Sequence, residues 1–156
     1  MRYSASGPNR FHVLCSSNPP VISPVDIVFY DGHCGLCHGT VKFALRHDRE
    51  GAFRFAPLNG STFRGRVPVS RQASMPDSIV VLTANGNLLV RSDAFIYILG
   101  RLGGVWRAQA AIVTIVPRPL RDAAYNLIAR VRYRIFGRRN DVCPIVPNQL
   151  RDRFLD

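Results

Sequence analysis

Short apolar runs alternate with helical periodicities along most of this chain, and their order predicts an α/β domain. The stretch Val25-Asp26-Ile27-Val28-Phe29-Tyr30 is β-branched and aromatic, and Asp31-Gly32 supplies turn chemistry after it, the pattern of a buried strand. A helix is expected over residues 34–47, with Leu36, Val41, Ala44 and Leu45 available for packing, until Gly51 ends the unit. Phe53-Arg54-Phe55-Ala56-Pro57-Leu58 alternates as a second strand, stopped by the proline and Asn59-Gly60. Strand, helix and strand in close succession form a βαβ unit with parallel strands and a right-handed crossover.

Residues 61–74 are polar and basic, reading as a loop or a poor helix. After Pro76, residues 78–83 form a strong strand pattern, Asn85-Gly86 is a hairpin signal, and Leu88-Leu89-Val90 is the return strand. Ser92 is placed to cap a helix through Leu99, which Gly103-Gly104 terminates. The order βαβ then ββα is that of a thioredoxin-like core, one mixed sheet with helices on its faces. The domain is drawn over residues 25–156: a core over 25–104 and a basic helical extension over 105–156, preceded by a flexible tail over 1–24. In the extension, residues 106–116 are largely apolar, and a helix is expected over 120–136. Its apolar positions (Ala124, Leu127, Ile128, Val131, Ile135) are assigned to the inner face, and its arginines to a solvated outer one.

Composition and charge narrow the classes of function. The chain has 156 residues, 47% apolar and 20% charged, a globular balance long enough for a real core. Four cysteines are too few and too unevenly spaced for a disulfide-stapled secreted domain, which favours a reducing cytoplasm. The first 24 residues hold no acid and no apolar run of signal-peptide length, and no membrane-spanning stretch appears. The net charge is +11, and every basic residue but Lys42 is arginine. Such a field attracts nucleic acid, anionic membranes or acidic proteins, or reflects a GC-rich genome. No aromatic-basic interleaving supports nucleic-acid binding, and a peripheral membrane contact is the minor alternative.

The chemistry centres on Cys34-Gly35-Leu36-Cys37. A Cys-x-x-Cys pair on one helical turn closes into a disulfide with little movement, and a thiol at a helix N-terminus ionises readily. Cys34 is assigned as the nucleophile and Cys37, one turn inside, as the resolver. Asp31, Gly32 and His33 support the loop that presents them. The Asp31 carboxylate has two readings, a turn acceptor for following N–H groups or a base for Cys37. His33 is either a source of positive charge or an exposed turn residue. Cys34-Gly35-Leu36-Cys37-His38 also matches a c-type haem attachment motif, but no export signal accompanies it. Zinc would need Cys34, Cys37, His38 or His33, and the distant Cys143, without a second close-spaced ligand pair. No metal and no organic cofactor is expected.

The run Tyr30-Asp31-Gly32-His33-Cys34-Gly35-Leu36-Cys37 resembles the signature of the DCC family of thiol-disulfide oxidoreductases. The resemblance continues through Phe53-Arg54-Phe55-Ala56, Arg91-Ser92-Asp93-Ala94, residues 116–122, residues 132–139 and Cys143. It implies a thioredoxin-like fold and protein-disulfide reductase activity, with Asp31, Cys34 and Cys37 as functional positions. In thioredoxin-like enzymes a cis-proline faces the cysteines and holds the substrate chain; Met75 and Pro76 stand near that place as candidate substrate-binding residues. Cys143 is either a packing cysteine or a third thiol, and Cys15 is incidental. A monomer is expected, exchanging electrons with a protein or small-molecule thiol or disulfide of the thioredoxin or glutathione kind. The reading from another class is a non-catalytic module that binds a protein or an anionic membrane through its basic helix.

Overall fold

The computed structural model describes residues 25–75, 79–137 and 148–156. The tail over 1–24, Pro76, Arg138, Arg139 and Cys143 lie outside the described residues. A four-stranded sheet forms from β1 (Asp26–Tyr30), β2 (Phe53–Pro57), β3 (Val80–Leu82) and β4 (Leu88–Val90) in the order β2-β1-β3-β4. β1 and β2 are parallel, joined by α1 (Gly35–His47); β1 with β3 and β3 with β4 are antiparallel. The β3–β4 connection is the expected hairpin, with Gly86 at a positive φ of 82° that its lack of a Cβ permits. This is the thioredoxin-like α/β arrangement that the element order predicts.

Side chains of β1 alternate between two cores, as a strand buried on both faces must. Val28 and Tyr30 join Cys34, Cys37, Val41, Phe53, Phe55 and Ile98 on the face covered by α1 and by α4 (Arg91–Leu102). Ile27 and Phe29 join Phe63 and Val67 on the opposite face. Phe29, Phe53 and Phe55 have no exposed surface, and each such burial stabilises by about 1.5–3 kcal/mol. The buried Asp26 carboxylate binds the Ala84 N–H at 2.8 Å, the Tyr97 hydroxyl at 3.1 Å and Arg101 Nε at 3.0 Å, tying β1 to α4.

Some local expectations are refined by the structure and others are corrected. The polar segment after β2 forms two short helices, α2 (Ser61–Arg66) and α3 (Val69–Gln72). Val90, not Ser92, occupies the N-cap of α4; the Ser92 hydroxyl donates instead to Asp122 at 2.5 Å. The apolar segment beyond Gly103 is helix α5 (Gly104–Ile115), and α6 (Arg118–Phe136) follows. The largest correction concerns the orientation of α6. Leu120, Leu127, Ile128 and Ile135 point to solvent, whereas Arg132 is buried. Carboxylates on the body of the protein turn the polar side inward: Asp93 holds Arg118 at 2.9 Å and Arg121 at 3.3 Å, and Asp31 holds Arg132. The last residues close the β2 edge, where the Leu155 N–H donates to the Phe55 carbonyl at 2.8 Å and Arg153 pairs with buried Asp48 at 3.0 Å.

Candidate active site

The chain leaves β1 into a turn braced from several sides. The Cys34 N–H donates to the Asp31 carbonyl at 3.2 Å, and the His33 N–H donates to Asp31 Oδ1 at 2.9 Å. The second bond is the local acceptor role open to an aspartate in a turn. His38, buried inside the first turn of α1, donates from Nε2 to the Gly32 carbonyl at 2.8 Å and meets Tyr30 edge-on. The histidine of the haem-like motif thus serves as a brace beneath the loop. His33 is exposed above it.

This turn delivers Cys34 to the N-cap of α1, where no side chain caps the helix and no acid occupies the first turn. Its sulfur lies at the positive end of the helix dipole. Cys37 follows one turn on, and both are free thiols with almost no exposed surface. Donation from the Cys37 thiol lowers the pKa of Cys34 from 9.0 to about 6; burial opposes this, while the Cys37 backbone N–H and the charge of Arg132 add to it. The same interaction works in reverse on Cys37. Its bond to Cys34, its burial and the charge of the neighbouring thiolate all raise its pKa. The site therefore sets one ionised sulfur against one protonated sulfur.

A third layer comes from α6, far away in sequence. Asp31 Oδ2 accepts a very short hydrogen bond from the Tyr133 hydroxyl and an ion pair from Arg132 at 3.4 Å. Arg132 Nη2 also donates to the Tyr133 oxygen at 2.9 Å, whereas its Nε has no partner among the described residues. Burial works against the charge of Arg132, but Tyr133 and the negative sulfurs outweigh it and hold its pKa high. Burial and the bond to Asp31 raise the pKa of Tyr133, keeping it a proton donor. The negative charge of Asp31, which alone would oppose a thiolate at Cys34, is thereby compensated by a buried guanidinium.

The end of α6 also covers the motif. The Gly35 N–H points to the Gly137 carbonyl at 3.5 Å, and a Cβ on Gly35 would overlap the Phe136 carbonyl oxygen. Glycine at this position is therefore a packing requirement. A cleft of ≈ 330 Å³ opens beside the motif between Asp31, Gly32, His33, Leu58, Asn59 and Tyr133.

The structure brings together Asp31, Gly32, His33, Cys34 and Cys37. Met75 packs on the opposite face of the sheet, with Ile27 and Phe29, and Pro76 and its peptide bond lie outside the described residues. Among the described residues no group of three or more His, Cys, Asp or Glu side chains is placed to hold a metal ion. Arg132 and Tyr133 are the site residues that the sequence pattern did not mark. Their signal was a charged and a phenolic residue at adjacent positions of a helix whose apolar stripe lies elsewhere.

A family model for DCC1-like thiol-disulfide oxidoreductases matches residues 28–138. The uncharacterized protein YuxK of Bacillus subtilis is 31% identical over 132 residues, covering 85% of this chain and 95% of its own length. A chloroplastic DCC family protein of Arabidopsis thaliana is 34% identical over 121 residues, covering 76% of this chain and 69% of the relative. No solved structure matches. The chain belongs to the DCC1-like thiol-disulfide oxidoreductase family. That membership supports a general redox role.

Proposed function

We propose that this protein is a protein-disulfide reductase-type thiol-disulfide oxidoreductase of the cytoplasm, acting as a monomer through Cys34 and Cys37. The Cys34 thiolate attacks one sulfur of a partner disulfide, forming a mixed disulfide and expelling the other sulfur as a thiolate that takes up a proton. Cys37 then gives up its proton and attacks the Cys34 sulfur. The Cys34–Cys37 disulfide forms, the second partner sulfur leaves as a thiol, and two electrons have passed to the partner. The reverse sequence regenerates the dithiol from thiols of the thioredoxin or glutathione kind. The two sulfurs carry both electrons, so the cycle needs no metal and no organic cofactor.

One observation carries this reading: Cys34 stands at the uncapped N-terminus of α1 with the Cys37 thiol one turn inside. That arrangement lowers the Cys34 pKa to about 6 and keeps Cys37 protonated. Thiols in such motifs have pKa values of roughly 3.5–7.5. Because Cys34 has no exposed surface, exchange with a partner requires the packing over the motif to open, and the Phe136–Gly137 end of α6 lies against the neighbouring Gly35. The Cys37→Ser variant tests the assignment. It should accumulate mixed disulfides through Cys34 that mass spectrometry identifies; a variant that captures no thiol partner, while Cys34 remains alkylatable, contradicts it.

A further inference from the structure

The outward side of α6 carries an apolar row on a helix that is otherwise basic. Leu120, Leu127, Ile128 and Ile135 recur at helical spacing, and each is about half to two-thirds exposed. At about 1.5 Å per residue, the row from Leu120 to Ile135 runs along roughly 22 Å of the helix. Exposed Arg130 and Arg134 flank it on one side. Isolated exposed apolar residues need no explanation, but a contiguous row marks a contact surface. The inner side of the helix is already occupied by Asp31, Asp93 and the body of α4.

We propose that α6 docks this protein on anionic membrane surfaces, lying in the interface with its apolar row in the acyl boundary and Arg130 and Arg134 at the headgroups. An apolar stripe edged by cations is what an interfacial helix requires. Charge decides between occupants. Of the six arginines from Gly104 to Gly137, Arg118, Arg121 and Arg132 are held by Asp93 and Asp31, which leaves the exposed Arg107, Arg130 and Arg134. The one acid, Asp122, is already bound to Ser92 and Arg118. A second copy of this face would set arginines against arginines with no free carboxylate to meet them. An anionic bilayer attracts and neutralises each cation near its surface. No helix among the described residues is long and apolar enough to cross a membrane, so the contact is peripheral. The docked face and the face holding Asp31 are opposite sides of one helix, which keeps the cysteine pair close to the bilayer surface.

Sedimentation of the full chain with vesicles tests this. Binding is expected to vesicles of equal phosphatidylglycerol and phosphatidylcholine, to weaken with added salt, and to fall at least tenfold on pure phosphatidylcholine. Leu127→Asp with Ile128→Asp should lose at least tenfold of the binding with an unchanged circular dichroism spectrum. Leu127→Ala with Ile128→Ala should lose less. Arg130→Gln with Arg134→Gln should remove most of the preference for anionic lipid. Absence of binding to anionic vesicles overturns the proposal, as does binding that none of these substitutions alters. A concentration-dependent dimer abolished by the aspartates, without vesicle binding, would assign the face to self-association instead.

Discussion

The carbonyl of Phe136 rests against the α-carbon of Gly35, so the last turn of α6 closes over the first turn of the cysteine helix. One glycine inside the motif thus serves the packing of an element a hundred residues later. Gly35→Ala is expected to force that end away. Overpacking of this kind costs about 1–3 kcal/mol, readable by denaturant unfolding. The same displacement should uncover Cys34 and speed its alkylation by iodoacetamide. A variant as stable as the parent, with unchanged alkylation, would mean that the end of α6 does not cover the thiol.

The lowered pKa of Cys34 fixes the sign of the pH response. The alkylation rate of the reduced protein should rise through a midpoint near pH 6 and be level by about pH 7, where roughly nine-tenths of the thiol is ionised. Stability follows by linkage. Between about pH 6 and 8.5 the unfolded chain binds more protons at Cys34 than the folded one, so the reduced protein gains stability as pH rises. That contribution is complete above the unfolded value and lost as pH falls through 6. The raised pKa of Cys37 opposes it above about 8.5. Alkylation kinetics against pH give the midpoint directly.

Arg132 pairs with the Asp31 carboxylate, and its positive charge acts on both thiols. Arg132→Gln removes a charge that favours the Cys34 thiolate and leaves Asp31 without its cation. The alkylation midpoint should move upward, by about a unit. Arg132→Lys should restore part of the shift, because it keeps the charge but loses the planar fork. A midpoint unchanged in Arg132→Gln would show that the helix terminus and Cys37 alone set the thiolate.

Tyr133 donates to a nearly buried carboxylate. Tyr133→Phe deletes that hydrogen bond while keeping the ring, at an expected cost of about 1.5–3 kcal/mol for a bond to a charged group. Amide exchange over residues 31–35 should quicken in the same variant, since Asp31 anchors the turn. An unfolding free energy within experimental error of the parent would contradict the anchoring role.

The strands and the helix bearing the cysteines were legible because burial imposes periodicity. The alternation in Val25-Asp26-Ile27-Val28-Phe29-Tyr30 matches the split of Val28 and Tyr30 from Ile27 and Phe29 between two cores. Asp31 was legible as a turn acceptor because that bond is local, two residues long. Its partners Tyr133 and Arg132 were not, because the contact spans about a hundred residues and has no periodic trace. The orientation of α6 was misread for a related reason. An apolar stripe predicts an inward face only when nothing else orients the helix, and here the carboxylates of Asp93 on α4 and of Asp31 in the turn after β1 turn the basic side inward. Ser92 was read as a helix cap, yet it serves the same latch through Asp122.

The most direct measurement is the redox state of Cys34 and Cys37 in the folded protein across a series of reduced-to-oxidised glutathione ratios. Alkylation followed by mass spectrometry counts the free thiols. The two cysteines should interconvert together and reversibly, with a dithiol-to-disulfide midpoint between about −270 and −120 mV. Thiols that remain free and unreactive at every ratio in the folded state would contradict the assignment of this pair as the exchanging centre.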